Sequence, residues 1–344
     1  MKKKKILFRA DGNSDVGLGH LYRLLALFEI FKEEYACIFL TKENSTLSVF
    51  SEDVNVFTIP VNIETNDEPN WIETNFNPEN YHLFIDGYQF GIDYQSKLKH
   101  LGYKFLYVDD YAKDEVVANI IVNHSMAVNE KDYAPYPIKT KLALGSKYAI
   151  LRPMLLEEAK NERVINAIDN VFICFGGADF NNLTLRCLKG VLKINAIKNI
   201  HVVLGNAYQQ KEIYKIIEDN KTRVLLHERL NEKQMINLMK KCHLAIIPSS
   251  TISYEVCSVK MIALCGYYID NQIKIYNGLK RNNLIFPAEN FNEMEEKDFE
   301  NSIQRIIDDN KKNHQIIIDN QKKYFDGHQK KRFLNLIKKL DYAS

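Results

Sequence analysis

The segment I-L-F-R-A-D-G-N-S-D-V-G-L-G-H-L-Y-R-L-L, Ile6 to Leu25, decides how the chain is read. Ile6, Leu7 and Phe8 suit a short buried strand, led in by lysines. The strand gives way at Arg9-Ala10-Asp11 to a loop containing glycine, which ends at Gly19-His20. Beyond it Leu21, Leu24, Leu25, Phe28 and Phe31 recur at helical spacing, predicting an amphipathic helix that returns to a second strand at Ala36-Thr41. Strand, helix and strand form a β-α-β unit, the repeating element of a parallel sheet.

The alternation continues outward from this unit. Further strands are predicted near Val54-Ile59, His82-Asp86, Phe105-Asp109 and Ile120-Asn123. A second series starts at Val171-Phe175 and runs through His201-Leu204, Val224-Leu226, Leu244-Pro248 and Met261-Gly266. Between the series lies a mixed stretch from Ala127 to Asn170, with Pro135, Pro137, Pro153 and a polar run at Glu157 to Glu162. The expected fold class is therefore α/β, with two Rossmann-like domains at 1–160 and 161–344 and a cleft between them. From Glu293 the chain reads as charged and helical, and the last helix, near Gln329 to Leu340, is a candidate to cross back onto the first domain.

Composition narrows the function. The 344 residues suit two domains, and 46% hydrophobic with 26% charged residues is ordinary for a packed globular chain. The 46 Lys+Arg nearly balance 44 Asp+Glu, leaving +2, so no nucleic-acid partner is expected. Cys37, Cys174, Cys187, Cys242, Cys257 and Cys265 form no C-x-x-C pair and suit a reduced, cytoplasmic enzyme. The opening M-K-K-K-K is followed too soon by Arg9 and Asp11 to be a signal peptide. No run approaches the roughly 18 apolar residues of a membrane helix, so no stable membrane association is expected. The nine histidines show no close metal-ligand spacing, and neither a metal nor a cofactor is assigned.

In open parallel sheets, ligands bind beyond the carboxyl ends of the strands. In the first half this selects Asp11 and the loop with Gly17, Gly19 and His20. A dinucleotide fingerprint would need a third glycine where Tyr22 stands, which disfavours a nicotinamide site. His20 at the helix start could act as a general base; equally, it could cap the helix or pair with Asp11. Asp86-Gly87-Tyr88 and Asp109-Asp110 add polar groups on the same rim. In the second half, Gly176-Gly177-Ala178-Asp179 before Asn181-Asn182-Leu183-Thr184 resembles an anion cradle. Ser249-Ser250-Thr251 could hold phosphate oxygens, Glu255 one turn later a ribose, and Asp270-Asn271-Gln272 a sugar.

These blocks together resemble a known family. R-A-D-G-N-S-D-V-G-L-G-H-L-Y-R (Arg9 to Arg23) is similar to the N-terminal signature of the UDP-2,4-diacetamido-2,4,6-trideoxy-β-L-altropyranose hydrolases of pseudaminic acid biosynthesis and their spore-coat polysaccharide relatives. I-D-G-Y at Ile85, V-D-D at Val108, L-G-S-K-Y-A-I-L-R-P at Leu144, F-G-G-A-D at Phe175, Y-E at Tyr254, D-N-Q at Asp270 and F-D-G-H-Q-K-K-R at Phe325 follow in the family's order. The resemblance implies a fold like that of the GT-B glycosyltransferases, with water replacing the sugar acceptor. It implies UDP on the C-terminal domain, with Gly177, Ser250 and Thr251 near the diphosphate and Glu255 on the ribose. His20 would activate water for inverting attack at the anomeric carbon, without a metal, and Asp11 is our added candidate for orienting it. Tyr88, Arg152, Asn271 and Gln272 would line the sugar pocket, and Gly17, Gly19 and Asp179 complete the substrate-binding candidates. Asn13, Leu18 and Ser249-Ser250 depart from the family's usual residues, which bears on the identity of the sugar. A glycosyltransferase using the same donor, or a nucleotide-sugar binding protein without catalysis, are the alternatives.

Overall fold

Seven parallel strands form the first sheet: β1 (Lys5–Arg9), β2 (Cys37–Lys42), β3 (Val56–Ile59), β4 (Tyr81–Asp86), β5 (Lys104–Val108), β6 (Ile120–Asn123) and β7 (Lys141–Leu144). Their order across the sheet is β3-β2-β1-β4-β5-β6-β7, so the direction of winding reverses between β1 and β4. Helices α1 (Gly19–Phe31), α2 (Glu68–Asn75) and α3 (Ile92–His100) connect them, and α4 (Pro153–Glu158) follows β7. The computed structural model describes residues 4–13, 16–112, 115–134, 140–177, 179–205 and 207–342. Lys2, Lys3, Ser14, Asp15, Pro135, Pro137 and Ala178, all used in the sequence reading, lie outside them.

The second sheet contains β8 (Asn170–Ile173), β9 (Asn199–Leu204), β10 (Val224–Glu228), β11 (Leu244–Pro248), β12 (Ile262–Tyr267) and β13 (Phe286–Asn290). It too is parallel, in the order β10-β9-β8-β11-β12-β13, with its reversal between β8 and β11. Helices α5 (Leu183–Leu192), α6 (Glu212–Asp219), α7 (Glu232–Lys241), α8 (Thr251–Ser258) and α9 (Ile273–Arg281) link these strands. Then come α10 (Glu296–Asp308), α11 (Lys311–Tyr324) and α12 (Gln329–Tyr342). The chain divides into two compact units, Met1–Pro153 with His328–Ser344, and Met154–Gly327.

The continuous apolar runs follow from this layering, because the strands of a parallel sheet covered on both faces bury consecutive residues. Ile6, Leu7 and Phe8 are all fully buried. The Phe8 ring meets Phe28 and Phe31 of α1 at 5.4 and 6.5 Å, and Phe84 of β4 at 5.1 Å, which seats α1 over β1 and β4. Phe333 of α12 packs on Tyr148, and Gln329 donates to the Ser146 carbonyl, so the C-terminal helix completes the first unit.

Two strands lay beyond the sequence pattern. β7 sits within the mixed stretch, at the sheet edge beside β6. β13 carries Pro287 and alternates half-buried with exposed residues, as an edge strand can. It runs so close to β12 that a Cβ on Gly266 would lie 2.4 Å from the Glu289 carbonyl oxygen. Among the described residues no helix is long and apolar enough to cross a membrane.

Candidate active site

The reversal between β1 and β4 gathers the polar groups of the first unit. β1 delivers Arg9, buried, whose guanidinium grips Asp11 (Nη1–Oδ1 2.5 Å, Nη2–Oδ2 2.7 Å) and Glu68 (Nε–Oε1 2.5 Å). Asp11 also accepts from the Lys42 amide at 2.7 Å, from Thr41 and from Gln89. Burial raises its carboxyl, but Arg9 outweighs this and holds it below the ordinary value. Asp11 thus ties β1 to the end of β2, and Gly12 behind it is packed so tightly that a Cβ would meet Leu21 at 2.8 Å.

The carboxylate on His20 is a different one. At the end of β4, fully buried Asp86 places Oδ1 2.7 Å from His20 Nδ1, which corrects the expected pairing with Asp11. Asp11 is engaged by Arg9 two residues away, whereas β4 lies beside β1 and aims Asp86 at the first turn of α1. Arg23, one turn along α1 from His20, forks onto both Asp86 oxygens at 2.6 Å each (Nε–Oδ2, Nη2–Oδ1). Its outer edge takes Asp110 (Nη1–Oδ1 2.6 Å, Nη2–Oδ2 3.0 Å). Burial pushes the Asp110 carboxyl up, but Arg23 overrides it and holds the carboxyl down at about 2.

These contacts assign the histidine tautomer. An ionised carboxylate only accepts, so the 2.7 Å contact needs a proton on Nδ1. Arg23 Nη2 also approaches Nδ1, at 3.3 Å, but guanidinium only donates and that nitrogen already has closer partners at 2.6 and 3.0 Å. The Asp86 contact therefore decides, and Nε2 is the ring nitrogen able to accept a proton. Tyr88, exposed, sets its ring edge-on to the imidazole (centroids 4.7 Å, 89°) and donates its hydroxyl to Asp110 at 3.1 Å. Gly17 bends the loop ahead of α1 with a φ of 79°, and its amide bonds to the Asn13 carbonyl. Gly19 is the first residue of α1, and Arg152 is half-buried after β7.

The second unit repeats the strand order and uses its reversal differently. After β8, Gly176 (φ 92°) and Gly177 lie exposed. The Gly177 carbonyl accepts from the Ala207 amide, and a Cβ on Gly205 would sit 2.3 Å from the same oxygen. Asp179 is buried, and its carboxylate accepts the Leu183 and Thr184 amides at 2.8 Å each. The start of α5, read in the sequence as part of an anion cradle, is thus closed by the chain's own carboxylate.

The start of α8 differs. Ser250 stands at the cap position, yet its side chain makes no capping bond, and Thr251 behind it is exposed. Ser249, fully buried, donates to the Gln272 carbonyl at 3.0 Å. Gln272 is itself buried, and its side-chain oxygen takes the Tyr268 amide. It therefore fixes the turn that presents exposed Asn271, and its own side chain points into the protein. Glu255, half-buried, follows Thr251 by one turn.

A doubly wound sheet in each unit, with polar groups collected at each reversal, defines a two-domain α/β protein of the GT-B class. No protein-family profile matches the chain. Its relatives include the UDP-2,4-diacetamido-2,4,6-trideoxy-β-L-altropyranose hydrolase of Campylobacter jejuni, 26% identical over 273 residues that cover 78% of this chain and 93% of the relative. The spore coat polysaccharide biosynthesis protein SpsG of Bacillus subtilis is 21% identical over 76% of this chain and 77% of its own. An uncharacterized protein of Methanocaldococcus jannaschii is 27% identical over 79% of the chain, which spans 57% of that relative's length. The family resemblance read from the motifs is thus borne out by similarity over 78% of the chain to the named hydrolase and 76% to SpsG. Among solved structures, Acinetobacter baumannii MurG superposes with a TM-score of 0.65 at 12% identity, covering 98% of this chain and 100% of its own. Staphylococcus aureus MnaA, solved with UDP, gives 0.67 at 11%, covering 98% and 96%.

Asp86 and Arg23 are the functional candidates that the sequence reading did not single out. Asp86 was visible at a strand end and Arg23 within the motif, but a pairing across 63 positions has no sequence periodicity to reveal it.

Proposed function

We propose that this chain hydrolyses a UDP-linked diacetamido-trideoxy sugar to UDP and the free sugar, in the manner of pseudaminic-type nonulosonic acid biosynthesis. The observation that carries the reading is the His20–Asp86 pair at the reversal of the first sheet, which leaves Nε2 to take a proton. Water attacks the anomeric carbon as Nε2 takes its proton. The bond from that carbon to the diphosphate oxygen breaks, its electron pair leaves with UDP, and single displacement inverts the centre. The second unit supplies the leaving-group site: the open start of α8 with Ser250 and Thr251 offers amides and hydroxyls to the diphosphate, Gly177 allows close approach, and Glu255 takes the ribose hydroxyls. Tyr88, Arg152 and Asn271 are the proposed sugar contacts, and Gln272 holds the Asn271 turn. The scheme uses no metal.

The hydrolase named among the relatives and the MnaA structure with UDP support this reading. The test is incubation with the UDP-sugar of that name, without acceptor, in water enriched in oxygen-18. UDP should be released without label, and the sugar should carry the label at its anomeric carbon. UDP release only on addition of a glycan acceptor would replace this reading by glycosyl transfer. Tight binding without turnover would leave a binding protein.

A further inference from the structure

We infer that Arg23 and Asp110 are positioning residues, which orient Asp86 and balance its charge so that His20 Nδ1 keeps its proton and Nε2 can take one from water. The inference rests on the hydrolase reading for its chemistry and on the first unit alone for its geometry. Arg23 approaches Asp86 side-on, and its two bonds of 2.6 Å fix the carboxylate plane. A carboxylate whose oxygens both accept from a guanidinium cannot turn to offer a proton to Nδ1. Without the fork, buried Asp86 could rotate, or bind a proton and donate it. Nδ1 would then accept, and Nε2 would hold the proton that must be absent during catalysis.

Charge counting explains Asp110. A guanidinium pairing with Asp86 alone would cancel the charge that His20 needs once it becomes imidazolium. Asp110, bound to the other edge of the same guanidinium, neutralises Arg23 in turn. Arg23 with two carboxylates carries one net negative charge at rest, and the cluster becomes neutral when His20 gains a proton. Among the described residues, the surrounding titratable groups are Tyr88, Tyr107, Asp109, Tyr111 and His124. Tyr107 is raised by burial and Tyr88 by the partial enclosure of its hydroxyl end and by Asp110, while His124 is pushed down to about 4 by burial and Arg23, so these three stay neutral in the working range. Asp109 is occupied by the Tyr111 and Ala112 amides and the Tyr133 hydroxyl.

The test uses the full chain with Arg23→Gln, Arg23→Lys and Asp110→Asn. If positioned base catalysis is lost, Arg23→Gln should lower kcat by about a hundredfold or more, and Asp110→Asn by about tenfold, with KM little changed. The acid limb of the pH–rate profile should move to higher pH in Arg23→Gln, where a cation is lost, and to lower pH in Asp110→Asn. A merely structural role would not produce opposite shifts. In parallel, nitrogen-15 spectra of the histidines, with His20 assigned through His20→Gln, should show the Nδ1–H tautomer in wild type and its loss in Arg23→Gln. Arg23→Lys, which keeps the charge but not the fork, should fall between and serves if Arg23→Gln does not fold. Unmoved tautomer and pH limbs in variants of an active enzyme would overturn the inference. A wild type that shows the tautomer but never releases UDP would sink the hydrolase reading and leave the positioning role standing.

Discussion

Replacing Asp86 by asparagine tests the proposed chemistry most directly, because the side chain keeps its size and loses only its charge and its acceptor-only character. Asp86 is fully buried and its Oδ1 stands 2.7 Å from His20 Nδ1. When Nε2 takes a proton, the imidazolium and carboxylate centres are about 4 Å apart, and an effective dielectric of about 20 gives roughly 4 kcal/mol of attraction. That attraction is present in the transition state and absent in the ground state, so its loss costs about a thousandfold in rate. The tautomer adds to this, because the asparagine amide can donate to Nδ1 and hold the proton on Nε2, a fault worth about ten-thousandfold in the serine protease triad. Arg23 is left paired with Asp110 alone, so the cluster keeps no net negative charge to meet the imidazolium. We therefore expect kcat for UDP release to fall by between about a hundredfold and ten-thousandfold, with KM within about threefold of wild type. A continuous UDP-release assay, with the thermal midpoint recorded in parallel, separates this from unfolding. The double variant with His20→Ala should be no slower than His20→Ala alone, since the two residues act as a unit. An Asp86→Asn enzyme within threefold of wild type, or losses that multiply in the double variant, would refute the pair as the base.

Three other outcomes follow from the geometry. Asp110, held at about 2 by Arg23 against an ordinary value of 3.8, contributes stability that is complete above pH 4 and disappears as pH falls toward 2. That contribution is about 2 kcal/mol, and the thermal midpoint of Asp110→Asn should be correspondingly less sensitive to acid over that interval. Gly205→Ala places a Cβ 2.3 Å from the Gly177 carbonyl oxygen, so it should destabilise the protein by about 1 to 3 kcal/mol and weaken UDP binding in calorimetry, leaving the His20 spectrum unchanged. Asp179→Ala should lower the thermal midpoint through a lost helix cap worth about 1 kcal/mol, whereas Ser250→Ala with Thr251→Ala should weaken UDP binding with little effect on stability.

The fold class was legible because consecutive burial leaves its mark on a sequence. Ile6 to Phe8 and Leu244 to Ile247 are apolar without alternation, as strands in doubly covered parallel sheets are. β13 was hidden by Pro287 and by half-exposure at the sheet edge, where the sequence need not be apolar. His20 was legible from its place after the glycine loop, but its partner was not. Asp11 is nearer in sequence, and only the adjacency of β1 and β4 makes Asp86 nearer in space. Gln272 was read as a sugar contact because its polarity and position suit one. Its burial, and its bond to the Tyr268 amide, depend on how the next turn folds and leave no signal in composition.

The two units share a strand order, and the helix starts at their reversals decide what each can do. Helix starts expose amides that favour negative charge, so a parallel sheet offers several potential anion sites and the chain must close those it does not use. In the second unit Asp179 closes α5 with two bonds of 2.8 Å, and Ser250 leaves α8 without a side-chain cap. The selection is thus made by one carboxylate in the first loop and its absence from the second. In the first unit the start of α1 has neither an acidic residue in its first turn nor a side-chain cap. His20 stands there instead, and its carboxylate comes from β4, which puts the negative charge at Nδ1; in the proposed chemistry the other ring nitrogen meets a neutral nucleophile. The same physical device, a carboxylate near a helix start, therefore caps the amides of α5 in one unit and orients an imidazole at α1 in the other, according to which group it meets.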